Sequence, residues 1–245
     1  MNASDKTVRN VEGVTIGPCE VHVWRAVLDV PELLLSGYEA TLSPDEKLRA
    51  SRFYSPSDRN HFVASRGILR RLAGRYLSIS PEMLEFRYAS AGKPYLPNDS
   101  GLNFNVSHSR GVALYAFVLG CEIGIDLEAP REELAIMDLA KRFFSKREGE
   151  ELRAMPSEFR LQAFFRCWTR KEAYIKACGR GLQLPLDSFD VSLAPGEGAC
   201  FLAGVPKNWH LVDISEQCGM PAALVVDARS MAMQLNFRHY NRPSH

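Results

Sequence analysis

Hydrophobic positions recur at two different periods along the chain, and the switches between them mark its elements. Val21, Val23, Ala26, Val27 and Leu28 form a cluster rich in β-branched residues that predicts a first strand. Two helix starts follow. Ser43-Pro44-Asp45-Glu46 places a hydroxyl at the cap, proline at the first helical position and glutamate three residues on, and Ser55-Pro56-Ser57-Asp58 repeats the pattern. The second of these helices carries Phe62, Leu69, Leu72 and Tyr76 at roughly helical spacing, and Ser80-Pro81 opens a short turn or helix. Segments 85–88, 102–106, 112–118 and 122–128 then read as short strands separated by Gly, Pro, Asn and Ser. Beyond Pro130 the pattern is helical again. Ser145-Lys146-Arg147-Glu148 is a capping box, and a long helix runs from about Glu158 to Ala177, closed by Gly179. Segments 189–193, 209–214 and 222–227 predict the last strands, while residues 1–19 are polar and predict no regular element. This order predicts an α+β chain of two halves, residues 1–128 and 129–245.

Composition narrows the class. In 245 residues, 46% are hydrophobic and 24% charged, which suits a soluble globular protein with a real core. A formal net charge of +1 provides no global field for a nucleic-acid or membrane partner. The start of the chain lacks the apolar stretch of a secretory signal, and no apolar run is long enough to span a bilayer. Six cysteines are scattered without a C-x-x-C pair, which points to a reducing cytoplasm and argues against zinc.

Four constellations could carry chemistry. In Gly124-Ile125-Asp126-Leu127-Glu128, residues two apart share a strand face, so Asp126 and Glu128 project together while Ile125 and Leu127 face the core. Paired carboxylates of this kind suit Mg²⁺, although the motif alone reads more readily as a solvated strand end. Phe164, Trp168, Glu172 and Lys176 are spaced by four and form one helical stripe. Its apolar half carries Glu172 and Lys176 toward a cleft, against the plainer reading of a surface Glu–Lys pair. Phe104-Asn105-Val106-Ser107-His108-Ser109 is a strand running into a Ser-His-Ser turn, which supplies either phosphate contacts or ordinary turn chemistry. No G-x-S-x-G elbow supports a serine hydrolase. Finally, Lys47, Arg49, Arg52, Arg59, Arg66, Arg70, Arg71 and Arg75 outnumber the acids between residues 44 and 76. They offer either a phosphate grip or a solvated helix face.

Taken in order, these segments have a common source. Gly92-Lys93-Pro94-Tyr95, the segment 104–109, Gly124 to Glu128, Phe143-Phe144-Ser145 and Trp168-x-x-Lys171-Glu172-Ala173-x-x-Lys176 together resemble the surfactin-synthetase-activating type of 4′-phosphopantetheinyl transferase. The resemblance runs from about Leu42 to Phe189.

That resemblance implies two similar α/β halves packed as an intramolecular pseudo-dimer, with coenzyme A in the cleft between them. It implies that Asp126, Glu128 and Glu172 hold Mg²⁺, with Mn²⁺ as the alternative, and that Lys176 contacts the phosphate in transfer with Lys171 as a supporting cation. Gly92, Lys93 and Pro94 are expected at the adenine, and Ser107 and His108 at the phosphates. Arg49 and Arg52, then Arg66 and Arg70, are the candidates for the 3′-phosphate, with Glu46 standing where some relatives carry lysine. The implied reaction transfers phosphopantetheine from coenzyme A to a serine of an apo acyl, peptidyl or polyketide carrier protein and releases 3′,5′-ADP. Glu172 is the expected base, and Asp126 and Lys176 complete the catalytic set. The expected carrier is an acidic helical bundle docking near Lys141, Arg142 and Phe143, and the enzyme is expected to be a cytoplasmic monomer. The rivals are a catalytically silent member that binds coenzyme A or carriers, a Mg²⁺-dependent nucleotide-phosphate hydrolase, and a nucleic-acid-binding module.

Overall fold

The computed structural model describes residues 14–97, 99–179, 181–194, 196–227 and 233–240. The first half opens with strand β1 (Glu20–Val27), followed by helices α1 (Glu32–Thr41), α2 (Pro44–Ala50) and α3 (Pro56–Leu77). Both expected N-caps hold. The Ser43 amide donates to Glu46 Oε2 at 3.0 Å, and Ser55 Oγ accepts from the Asp58 amide at 3.3 Å. The short hairpin β2 (Arg87–Tyr88) and β3 (Pro94–Tyr95) precedes β4 (Leu102–Ser109), β5 (Val112–Leu119) and β6 (Ile123–Leu127). Helices α4 (Ile136–Phe143), α5 (Lys146–Ala154) and α6 (Ser157–Cys178) form the helical stretch of the second half. The hairpin β7 (Asp190–Val191) and β8 (Phe201–Ala203), strand β9 (Trp209–Asp213), the single turn α7 (Ser215–Cys218), β10 (Ala222–Asp227) and β11 (Gln234–His239) complete the chain.

Three expectations are corrected. The strand read over 85–88 shrinks to Arg87–Tyr88, and that over 189–193 to Asp190–Val191, because each pairs with only a two- or three-residue partner. Helix α1 was not anticipated: Pro31 stands at its N-cap and makes no side-chain capping bond. Of the polar N-terminal stretch, residues 1–13 lie outside the described residues.

Two sheets organise the molecule, in the orders β11-β1-β5-β4 and β6-β10-β9. Alternation along β5 shows how they stack. Ala113, Tyr115 and Phe117 join Tyr38, Ile68, Leu72 and Tyr76 in one core, beneath α1 and α3. Leu114, Ala116 and Val118 join Ile123, Ile125, Leu127, Leu224 and Val226 in a second core, between the two sheets. On the far side of the second sheet, Ala223 and Val225 meet Phe164, Phe165, Ala173 and Ala177 of α6. The result is four layers: helices, sheet, sheet, helix. It explains why β5 is apolar on both faces and entirely buried.

The approach of α6 to β6 depends on one small residue. A Cβ added at Gly124 would lie 2.0 Å from the Ala173 carbonyl oxygen and 2.3 Å from the Ala177 nitrogen. Only glycine lets the helix carrying Glu172 and Lys176 come this close to the strand carrying Asp126.

Candidate active site

The site lies where β4, β6 and α6 meet. Among the described residues β4 makes no backbone ladder with β6; polar side chains join them instead. Asn103 Nδ2 donates to the Cys121 carbonyl at 2.8 Å, and Asn105 Oδ1 accepts from the Ile125 amide at 2.9 Å. Ser107 Oγ donates to Asp126 Oδ1 at 2.8 Å. Ser109 Oγ donates to Glu128 Oε2 at 3.0 Å and accepts from the Ala129 amide at 3.1 Å. These four residues lie two apart, with Phe104, Val106 and His108 between them, so one strand face is a polar ladder that positions both carboxylates. Sequence reasoning singled out Ser107 from this run, held Asn105 and Ser109 within the same segment without giving them a role, and left out Asn103. Their period of two with Ser107 was the available signal.

Lys176 reaches across from α6. Its Nζ lies 2.6 Å from Asp126 Oδ1 and 2.9 Å from Ser107 Oγ. Asp126 is 4% exposed, and its second oxygen, Oδ2, is buried without a hydrogen-bond partner among the described residues. Glu172 and Glu128 feel the same crowding. Burial first, then the charge of Asp126, raises the pKa of each, and for Glu172 the ammonium of Lys176 pulls the other way. Three carboxylates thus share one field, in which the charge of Asp126 disfavours ionisation of the other two. Among the described residues they do not converge as a closed metal-binding group. Lys176 already stands at Asp126 as the local positive charge.

Beside this group is a cavity of about 300 Å³, lined from the first half by Gly92, Lys93, Pro94 and Asn105 and from the second by Glu172 and Lys176. Gly92 adopts φ +83° in the tight turn between β2 and β3, where its amide donates to the Ala89 carbonyl at 2.8 Å. Lys93 is a clasp between the halves: Nζ donates to the carbonyls of Ile123 and Ala177 and to Glu122 Oε2 at 3.0–3.1 Å. His108 stays accessible to solvent, yet partial desolvation, followed by the charge of Lys176, lowers its pKa. Arg49 and His61 add to that positive field. Arg49 is exposed, its guanidinium 5.3 Å from the centre of the Phe62 ring, and Arg52 is exposed just past the end of α2.

Three expected residues are placed elsewhere. Lys171 is fully buried away from the cavity, with its ammonium 2.8 Å from Glu148 Oε2, 2.7 Å from the Leu186 carbonyl and 2.5 Å from that of Phe189. An ammonium has three protons, and all are used, so none remains for a phosphate. Arg70 is likewise buried, bonded to Glu46 and to the carbonyls of Pro81 and Leu84. Arg66 is half-buried and committed to Glu46 at 2.6 Å and to the Tyr88 hydroxyl. Glu46, which stands where some relatives carry lysine, accepts from both arginines and supplies the one negative charge between them.

Comparison with known proteins gives this geometry its family. The profile of the 4′-phosphopantetheinyl transferase superfamily matches residues 122–224, and that of the 4′-phosphopantetheinyl transferase N-terminal region matches residues 33–118. The 4′-phosphopantetheinyl transferase HetI of Nostoc sp. is 45% identical over 224 residues, 90% of this chain and 92% of its own. The chain belongs to the 4′-phosphopantetheinyl transferase family. More distant is the 4′-phosphopantetheinyl transferase Sfp of Bacillus subtilis, 34% identical over 62% of this chain and 66% of its own. The human L-aminoadipate-semialdehyde dehydrogenase-phosphopantetheinyl transferase is 31% identical over 63% of this chain and 54% of its own. As a transferase of this family, the protein moves phosphopantetheine from coenzyme A to carrier proteins, in a family that uses a divalent metal. No helix among the described residues is long and apolar enough to cross a membrane.

Proposed function

We propose that Asp126, Glu128 and Glu172 hold a divalent cation, Mg²⁺ or Mn²⁺, and that Glu172 and Lys176 carry the transfer to a carrier-protein serine. The observation behind this reading is the orphaned Asp126 Oδ2, a buried hard oxygen with no hydrogen-bond partner among the described residues, next to two carboxylates whose pKa values are raised. When bound, such a cation neutralises charge on the pyrophosphate of coenzyme A.

The chain's own groups account for the rest. The cavity edged by Gly92, Lys93 and Pro94 suits the nucleotide end of coenzyme A. The exposed His108 faces its phosphates, whereas the single proton of the Ser107 hydroxyl is spent on Asp126, and the exposed Arg49 and Arg52 answer its 3′-phosphate better than the committed Arg66. Glu172 takes the proton of the serine hydroxyl, a role suited to a carboxylate whose proton affinity is increased by burial and by the charge of Asp126. The serine oxygen bonds to the β-phosphorus, the phosphoanhydride bond to 3′,5′-ADP breaks, and Lys176 meets the charge left on the departing group. An acidic carrier would find the exposed Lys141 and Arg142 beside Phe143, which packs edge-on against Trp168. A two-domain division near residue 128, a monomeric state and a cytoplasmic setting belong to the same reading.

Intact-mass spectrometry of apo acyl- and peptidyl-carrier proteins, incubated with the enzyme, coenzyme A and Mg²⁺, tests it. One added phosphopantetheine that disappears with EDTA is the expected result. Glu172→Gln should abolish transfer while calorimetry still detects coenzyme A binding. Near-normal turnover by Glu172→Gln would remove it from the mechanism. Phosphate release without a carrier would point to a hydrolase instead.

A further inference from the structure

We propose that Lys171 is a positioning residue for the transfer: through a buried junction with Glu148 it fixes the rotation of α6, and so the aim of Glu172 and Lys176. The inference rests on the roles proposed above for those two residues.

The junction is unusually complete for a buried charge pair. Lys171 and Glu148 have side chains 0% and 1% exposed, and each polar group is saturated. Glu148 Oε2 accepts from the Ser145 amide at 2.9 Å as well as from Lys171, while Oε1 accepts from the Val191 amide at 2.8 Å. Lys171 places its other two protons on the carbonyls of Leu186 and Phe189. One ion pair therefore ties α6 to the first turn of α5, to the 3-10 turn Leu186–Ser188 and to β7. The Phe189 ring adds to the fixation: its centre is 4.3 Å from the Lys171 ammonium and 4.9 Å from the Tyr174 ring.

Stability alone is a poor reason for such an arrangement. An apolar pair of similar volume is often as stable as a buried ion pair or more so, whereas directional bonds fix one geometry. Here the geometry matters one residue later. Successive helical residues point about 100° apart, so a helix held at Lys171 by three directed bonds presents Glu172 in one orientation. Lys176 follows one turn further on. From the other side Gly124 admits the same helix against β6 at backbone contact. Between the close approach at Gly124 and the tethers at Lys171, the rotation of α6 is determined.

The test compares Lys171→Met, Lys171→Arg and Glu148→Gln in the full chain, measuring kcat, KM for coenzyme A and thermal melting. Glu172→Gln and Lys176→Ala run alongside. Lys171→Met, assayed well below its melting temperature, should lose about 10- to 100-fold in kcat, the usual cost of removing a group that orients a reactive one. Its KM for coenzyme A should change far less, and Lys171→Arg should recover part of kcat. A folded Lys171→Met with wild-type kcat would overturn the proposal. So would a raised KM at constant kcat, which would make Lys171 a coenzyme A contact. Should Lys171→Met not fold, wild-type kcat in both Lys171→Arg and Glu148→Gln would overturn it equally. Full activity in Glu172→Gln and Lys176→Ala would instead defeat the underlying reading of the site.

Discussion

Glu46 lies between two guanidiniums, 2.6 Å from Arg66 Nε and 2.6 Å from Arg70 Nε, with both Glu46 and Arg70 only 1% exposed. Removing the carboxylate leaves a buried arginine with no counter-charge, and desolvation then dominates. Glu46→Ala should cost about 3–5 kcal/mol, the range for breaking a buried pair on one side. Urea unfolding monitored by circular dichroism checks it, and a loss below about 1 kcal/mol would show that Arg70 finds water or another acceptor. The same variant frees Arg66, so coenzyme A binding by the folded fraction should not weaken. Legibility at this scale varied with the kind of residue. Asp126 and Glu172 could be read because strand and helix periods fix direction. Lys171 could not, because its place in a family motif invited a chemical role. Its helical neighbours told otherwise: Cys167, Tyr174 and Ile175, at four before and three and four after, are all buried. A lysine on an apolar stripe is a core lysine with a partner.

Between elements, the seam of β6 with α6 matters most for activity, and Gly124 controls it. An alanine there would place its methyl carbon 2.0 Å from a backbone oxygen that no rotamer change can move. The helix would have to retreat, separating Lys176 from Asp126 as it went. Gly124→Ala should cost about 1–3 kcal/mol from overpacking and should lower transfer activity further than the loss of folded protein explains. Melting curves and activity per folded molecule separate the two effects, and full activity in the folded fraction would mean that the seam tolerates displacement. The sequence announced elements with strong local signals, such as the capping boxes at Ser43 and Ser145 and the left-handed Gly179 that ends α6. Strand β11 escaped because nothing local distinguishes Gln234–His239. Its pairing partner, β1, lies more than two hundred residues earlier, and it joins that strand in parallel. The polar ladder of β4 was half legible. Its alternation was visible, but not that β6 would lie beside it.

Across the whole molecule, strand pairing ignores a simple division of the chain. β6, at the end of the first half, pairs with β10 of the second, and β11 returns to pair with β1. At that last contact His22 is 0% exposed, its Nδ1 2.7 Å from the Tyr76 hydroxyl and its Nε2 3.2 Å from Glu20 Oε2. Arg238 of β11 approaches the same Nε2 at 3.4 Å. Burial first, then Arg238, lowers the His22 pKa to about 4 from 6.5, while Glu20 opposes the shift. Between these values the unfolded chain binds a proton on His22 that the folded protein refuses. The contribution of His22 to stability is therefore complete above pH 6.5 and is lost as pH falls toward 4, about 3 kcal/mol in all. Glu128 and Glu172 act with the opposite sign: their raised pKa values make the folded state bind protons more readily, so acid relieves their burial. The bare pH dependence mixes these effects, and a difference isolates one. His22→Gln keeps polar contacts and cannot titrate. Unfolding free energies of wild type and variant, measured from pH 4 to 7.5, should have different slopes below 6.5 and parallel ones above. Parallel curves throughout would mean that His22 takes its proton in the folded state as readily as in the unfolded one, and that β1, α3 and β11 hold together around a charged imidazolium.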